Sequence, residues 1–168
     1  MSESFTEVYP KEKTAFYRLL NAQLKALIEE ETCWLTALSN ASALLYGALE
    51  NINWAGFYLV SGGVLLLGPF QGRPACTRIP KGRGVCGACW QENAPQLIAN
   101  VHEFAGHIAC DSASNSEIVL PLRQNGAVVG LLDIDSPLLS RFDEEDLRGL
   151  AQFASMVEAA AADAAAAL

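Results

Sequence analysis

Between residues 11 and 49 apolar side chains return every three or four positions. Phe16, Leu19, Leu20, Leu24, Leu27 and Ile28 keep that spacing closely, and Trp34, Leu35, Leu38, Leu44 and Leu45 keep it more loosely. Such a period predicts two helices, each with one face turned to a core. From Trp54 the period shortens. Trp54–Val60 and Val64–Phe70 flank Ser-Gly-Gly, the composition of a hairpin turn, and Gln96–Val101 and Ser116–Arg123 are again strand-like. Ala127–Ser136 completes a second hairpin across Gln-Asn-Gly. The helical period then resumes: Asp143 is a capping residue followed by acids, and Leu147, Leu150, Phe153, Met156 and Val157 form one stripe. Helices at both ends of a central run of strands predict an α+β fold, an antiparallel sheet with its helices gathered on one face. Neither a repeat nor a linker interrupts the chain. A single domain over 1–168 is expected, with an N-terminal extension to about residue 12 and an alanine-rich tail from about residue 160.

Composition narrows the partners. The 168 residues are 51% apolar with a mean hydropathy of +0.20, enough for one complete hydrophobic core. A net charge of −8 and a pI near 4.7 exclude the clustered Lys and Arg that a nucleic-acid backbone or an anionic membrane surface demands. The start, MSESFTEVYPKEK, has acids and a proline where a secretory signal carries a basic start and an apolar run. No apolar run reaches the ~18 residues of a membrane span. The expectation is a cytoplasmic protein whose five cysteines, Cys33, Cys76, Cys86, Cys89 and Cys110, serve as thiols, catalytic groups or metal ligands.

Two motifs compete for the glycine- and cysteine-rich middle. Gly82-Arg-Gly84-Val-Cys-Gly87 matches the dinucleotide fingerprint, but it follows Arg-Ile-Pro-Lys rather than a clear strand entering a βαβ unit. A turn leading into a short helix around Val85–Gln91 is the plainer reading, and its free N–H groups suit a small anion such as a carboxylate. Cys86, Cys89, His107 and Cys110 spell C-x2-C-x17-H-x2-C, a spacing that can close a tetrahedral zinc site. Structural zinc, however, usually supports small domains that lack a core, and this chain does not lack one.

The acids are more informative. In Val129-Gly-Leu-Leu-Asp-Ile-Asp135, alternation sends Asp133 and Asp135 to the same side of a strand, about 7 Å apart. In a partly buried setting two such carboxylates repel by roughly 2 kcal/mol at an effective dielectric of about 20. An ammonium group held between them reverses that cost. Whether Glu117 joins them depends on the hairpin turn. A three-residue Gln124-Asn125-Gly126 loop sets residue 117 opposite 133 on the aspartates' face, and a two-residue Asn-Gly loop sends it to the other face. The three-residue loop is expected, with Pro121 the candidate for a disrupting bulge.

In "HIACDSASNSEIVLPL", residues 107 to 122, turn formation explains the Asp, Ser and Asn residues but not Cys110 or Glu117. A thiol and three acids can converge on one pocket. Ionised neighbours raise a thiol pKa, so the set is coherent only if one acid stays protonated as a donor while a cationic substrate neutralises the others. Sulfoxide reduction uses such a set. A thiolate attacks sulfur, an acid protonates the departing oxygen, and a second thiol turns the resulting sulfenic acid into a disulfide.

The segments "INWAGFYLV", "LGPFQG", "ACTRIPKGRGVCG", "HIACDSASNSEIVLPL" and "GLLDIDS", in this order, resemble the free methionine-(R)-sulfoxide reductases, enzymes built on a GAF domain. The resemblance runs from about Thr14 to about Leu150. It implies a six-stranded antiparallel sheet with the N- and C-terminal helices on one face, a homodimer, no cofactor, and reduction of the free amino acid rather than protein-bound residues. Carried onto matching positions, it makes Cys110 the nucleophile, Cys76 the resolving thiol of a Cys76–Cys110 disulfide and Cys86 an auxiliary partner, with thioredoxin as reductant. Glu117 resembles the group that protonates or hydrogen-bonds the sulfoxide oxygen, and Asp133 and Asp135 the holders of the amino group. Trp54 is similar to the family's aromatic wall, Tyr58 shares its strand face as a wall or an ordinary core residue, and Gly84 and Val85 offer N–H groups to the carboxylate. Cys33 and Cys89 match no family role, and both suit packing. His102 and His107 are expected in loops, with His107 the better placed to tune the thiol. A non-catalytic GAF sensor of an amino-acid-like ligand and the zinc module are the alternatives.

Overall fold

The structure, a computed structural model, describes residues 8–106 and 112–163. Helix α1 (Lys13–Ile28) starts where the Glu12 carboxylate accepts the amide protons of Thr14 and Ala15 at 2.9 and 2.7 Å. Such a cap satisfies donors that the first helical turn leaves free. Helix α2 spans Trp34–Ala48. The strands follow: β1 (Trp54–Ser61), β2 (Val64–Gly72), the short β3 (Arg78–Pro80), β4 (Gln96–Ile98), β5 (Ser116–Gln124) and β6 (Ala127–Ser136). Helix α3 (Gly84–Glu92) stands between β3 and β4, and α4 (Glu144–Asp163) closes the fold. Asp143 caps α4, accepting from the amides of Glu145 and Asp146.

The six strands form one antiparallel sheet in the order β3-β2-β1-β6-β5-β4. Alternation gives it two different faces. One face presents Ala55, Phe57, Ile118, Leu120, Leu122, Leu132 and Ile134 to the apolar stripes of α2 and α4, with α1 packed on those helices. The other presents Trp54, Tyr58, Val119 and Leu131 to α3, which lies across β5 and β6. The N- and C-terminal helices thus share a face as expected, and among the described helices α3 is the one on the opposite face. Strand β3 pairs antiparallel with β2, so no parallel βαβ unit stands behind the Gly82–Gly87 fingerprint and the dinucleotide reading falls. Two strand expectations also change. β3 was concealed by its length and its proline, and the run expected to reach Val101 stops at Ile98, where Val101–Glu103 turns into one 3-10 helical turn.

The second hairpin differs from expectation in both of its parts. Its loop is the two-residue Asn125-Gly126, both at positive φ (51° and 80°), with Gln124 paired to Ala127. Asn-Gly is the preferred pair for that twisted turn. The parity it sets is then reversed by a bulge: Arg123 pairs with Val128, but Leu122 pairs with Gly130, leaving Val129 as the extra residue on β6. Pro121 is not the disruption, since it pairs regularly with Leu131. Glu117 therefore does share the aspartates' face, but it stands opposite Asp135 rather than Asp133.

Candidate functional site

Three strands deliver the site in rows. Trp54 on β1 and Glu117 on β5 each pair with Asp135 on β6, and the three form one row. Gly56, Asp133 and Val119 form the next, and Tyr58, Leu131 and Pro121 a third. Gly56 is glycine for a spatial reason. A Cβ there would lie 2.3 Å from the Cβ of Phe70 and 2.8 Å from the Trp54 ring. Its absence lets the aromatic rings stack beside Asp133. Trp54 lies 5.3 Å from Phe70 at 14° and 6.0 Å from Tyr58 at 23°.

Helix α3 lowers Cys86 onto these rows. Its thiol stands 3.9 Å from Glu117 Oε1, and ligand atoms of Cys86, Glu117 and Asp133 all lie within 4.8 Å of one another, every one of the three residues buried. Asp133 Oδ1 is buried with no hydrogen-bond partner. Packing acids this tightly away from water favours their neutral forms. Burial, then the charges of Asp133 and Asp135, pushes the Glu117 carboxyl well above the usual range. Burial also brings Asp133 up to about 7, while its contacts with Cys86 and Glu117 pull the other way. The opposed directions describe a pair in which Glu117 carries the proton and Asp133 receives it. Burial, reinforced by the Asp133 and Glu117 charges, pushes the Cys86 thiol upward too.

The aromatic residues do more than wall the site. Trp54 Nε1 donates to the Arg73 carbonyl at 3.2 Å, and the Tyr58 hydroxyl donates to the Cys76 carbonyl at 3.0 Å. Both therefore tether the segment that carries Cys76 to the sheet, and Tyr58, 2% exposed, is both a core aromatic and a positioning group. Cys76 is partly exposed and disulfide-bonded, whereas Cys33, Cys86 and Cys89 are free thiols. At the start of α3 the Gly87 amide is spent on the Arg83 carbonyl at 3.0 Å, and the Arg83 side chain makes no capping bond. The amides of Gly84 and Val85 fall within the first turn, where helical partners are lacking.

Other expected residues are placed differently. Cys33 is not packed in a core: it is the half-exposed N-cap of α2. The thiols of Cys86 and Cys89 do not converge. Cys89, fully buried, faces the Val119 carbonyl at 3.8 Å, while Cys86 faces the acids. Cys110 and His107 lie outside the described residues. His102 sits in the 3-10 turn with its Nε2 2.8 Å from Asn115 Oδ1.

That contact belongs to an anchor which sequence reasoning missed. The Asn115 amide donates to the Ser136 carbonyl, its carbonyl accepts from Val101, and its Nδ2 donates to the Pro137 carbonyl at 2.7 Å. Asn53 Nδ2 donates to Ser114 Oγ at 3.0 Å. Asn115 is thereby tied to the end of β6, next to Glu117, and Val101 is tied to Asn115. Asn and Ser in a loop read as turn formers, and only the pairing across 14 residues distinguishes an anchor from a turn.

The chain matches the family model described as "GAF domain" over residues 23–161. It is 56% identical over 146 residues to a protein of Escherichia coli (strain K12) named "Free methionine-R-sulfoxide reductase", covering 87% of this chain and 88% of that one. A protein of Saccharomyces cerevisiae with the same name is 39% identical over 141 residues, covering 79% and 78%. Among solved structures, the free methionine-R-sulfoxide reductase of Neisseria meningitidis in complex with its substrate superposes with a TM-score of 0.91 at 41% identity, over 94% of this chain and 95% of that one.

Proposed function

The chain belongs to the GAF-domain family and, within it, to the free methionine-R-sulfoxide reductases; from that premise we propose that it reduces free L-methionine-(R)-sulfoxide to methionine through Cys110. The observation that carries the reading is the row of Trp54, partly buried Asp135 and Glu117, with buried Asp133 beside it. A protonated acid, a carboxylate with an unpartnered oxygen and an aromatic wall lie within a few ångströms. Asp133 and Asp135 hold the substrate ammonium. The first-turn amides of Gly84 and Val85 receive its carboxylate, and Trp54 walls the methyl-sulfinyl end. A site that requires both charged ends of an amino acid excludes a residue within a peptide.

The proposed chemistry balances without a cofactor. The Cys110 thiolate attacks sulfoxide sulfur as Glu117 gives its proton to the oxygen; a bond then forms between that oxygen and the Cys110 sulfur as the substrate sulfur–oxygen bond breaks, so methionine leaves and Cys110 becomes a sulfenic acid. The Cys76 thiol attacks that sulfur, releasing water and forming a Cys76–Cys110 disulfide, with Cys86 as an auxiliary thiol. An external dithiol such as thioredoxin restores both thiols. The bonded state of Cys76 beside three free thiols supports its redox role. Among the described residues no helix is long and apolar enough to cross a membrane. A cytoplasmic homodimer completes the reading.

The test is turnover of the resolved epimers, with dithiothreitol or thioredoxin as electron source. The free R epimer is expected to yield methionine, and the S epimer and a peptide-bound R sulfoxide to yield at least 100-fold less. Equal turnover of the peptide would overturn the two-ended recognition, and no turnover of any form with tight retention of an amino acid would establish a sensor.

A further inference from the structure

We propose that Cys86, Glu117 and Asp133 form a binding site for a thiophilic divalent cation, zinc above all, and that the ion blocks the site from which the substrate ammonium is held. The cluster differs from the C-x2-C-x17-H-x2-C spacing, since it takes one cysteine of that motif and adds two acids from β5 and β6. Its geometry is close to what the ion needs. Zinc binds thiolate sulfur at about 2.3 Å and carboxylate oxygen at about 2.1 Å, so tetrahedral angles set sulfur and oxygen about 3.6 Å apart. Cys86 Sγ and Glu117 Oε1 already stand 3.9 Å apart, and all three ligand atoms fall within 4.8 Å.

A second observation points to a missing ligand. Asp133 is 6% exposed and its Oδ1 has no hydrogen-bond partner. Buried polar atoms without partners are rare and costly, and an orphaned carboxylate oxygen is a vacant cation contact. An ammonium would satisfy the Asp133 oxygen but takes no bond from the adjacent thiol. The sulfur beside them is what separates a soft or borderline metal from a hard one such as magnesium, which takes oxygen ligands. On binding, the Cys86 thiol and the Glu117 carboxyl each release a proton to solvent as the metal–sulfur and metal–oxygen bonds form. Three protein ligands leave the fourth position open to water, as in zinc sites that are not purely structural.

The inference rests on the proposed function only for its competition with substrate; binding itself is read without turnover. Fully reduced protein is titrated with zinc sulfate in a calorimeter, and metal content is measured after desalting. One zinc per chain is expected. Cys86→Ser is expected to weaken binding at least 10-fold, while Cys89→Ser and Cys76→Ser bind within about 2-fold of the unsubstituted chain. With cobalt(II) in place of zinc, a thiolate-to-metal charge-transfer band should appear and vanish in Cys86→Ser. Free methionine sulfoxide should raise the apparent zinc Kd in proportion to its concentration. Undiminished binding by Cys86→Ser, loss in Cys89→Ser, or no zinc retained by folded reduced protein would each overturn the site. Zinc binding that substrate leaves untouched would overturn the blocking role. A protein that binds zinc through Cys86 but reduces no sulfoxide would sink the proposed function and leave the metal site standing.

Discussion

Burial favours the neutral forms of both Asp133 and Glu117, and that direction sets the sign of the pH effects expected from these two carboxyls. Asp133 titrates near 7, far above a free aspartate, so more of it becomes a carboxylate as pH rises from 6 to 7.5. The substrate dissociation constant should fall over that range, as isothermal titration of a resolving-thiol variant would show. Asp133→Asn should flatten the dependence and raise the constant about 100-fold, since loss of a buried charge partner costs 2–5 kcal/mol. A constant that rises with pH would contradict the assignment. The same shift predicts stability. Because the folded state holds the Asp133 proton to higher pH than the unfolded chain, unfolding free energy of the ligand-free protein should decline between about pH 4 and pH 7, by ~4 kcal/mol at most. Urea midpoints at several pH values, compared with those of Asp133→Asn, isolate this contribution. For Glu117 the expectation lies in the chemistry. Glu117→Gln keeps a hydrogen-bond donor but supplies no transferable proton, so kcat should fall ~10²- to 10⁴-fold with little change in substrate affinity. An unchanged kcat would remove Glu117 from the proton path.

At the scale of elements, the contact between α1 and α4 shows how space can outweigh propensity. A Cβ at Gly149 on α4 would lie 2.1–2.5 Å from the Tyr17 ring on α1. That ring cannot yield, because it is buried, its hydroxyl donates to Asp146 at 2.7 Å, and Phe16 packs edge-on against it at 5.0 Å. Lys13 reinforces the junction through Asp143 and Asp146, both at 2.6 Å. Gly149→Ala gains about 1 kcal/mol of helix propensity but forces overpacking that typically costs 1–3 kcal/mol or more. Thermal unfolding should therefore show a Tm lower by a few degrees, and a higher Tm would mean that the helices separate freely. The helices themselves were legible, because α1, α2 and α4 repeat apolar residues over at least 15 positions and α4 starts at the cap Asp143; the Glu12 cap of α1 was not anticipated. The β5–β6 register was only half legible. Asn125-Gly126 announces its turn, but nothing local to Val129 announces a bulge, so the shared face of Glu117, Asp133 and Asp135 was anticipated by the wrong route. Strand β3, three residues ending in proline, has no period to read and exists because β2 offers it an edge.

For the whole molecule, a sheet with two unlike faces separates stability from chemistry. One face buries the apolar stripes of α2 and α4, on which α1 packs, and the other, beneath α3, gathers acids and thiols that a continuous core would exclude. Asp133 and Asp135 were legible as a same-side pair, because alternation along one strand is a local property. The approach of Cys86 to Glu117 was not, since it depends on how α3 crosses the sheet 31 residues away. Nor was the anchoring of Asn115 to β6, or the tethering of the Cys76 segment by Trp54 and Tyr58, which are long-range bonds from residues that read locally as turn or core. The central claim is that Cys110 removes oxygen from a free amino acid held at the acidic row and that Cys76 closes the cycle. Its most direct test is a single turnover: reduced enzyme mixed with less than one equivalent of free L-methionine-(R)-sulfoxide, with methionine quantified and disulfides mapped by peptide mass spectrometry. The expected result is one methionine formed per two thiols lost, a Cys76–Cys110 disulfide as the main product, and no methionine from Cys110→Ser. Methionine formed without thiol loss, or at the same rate by Cys110→Ser, would contradict it.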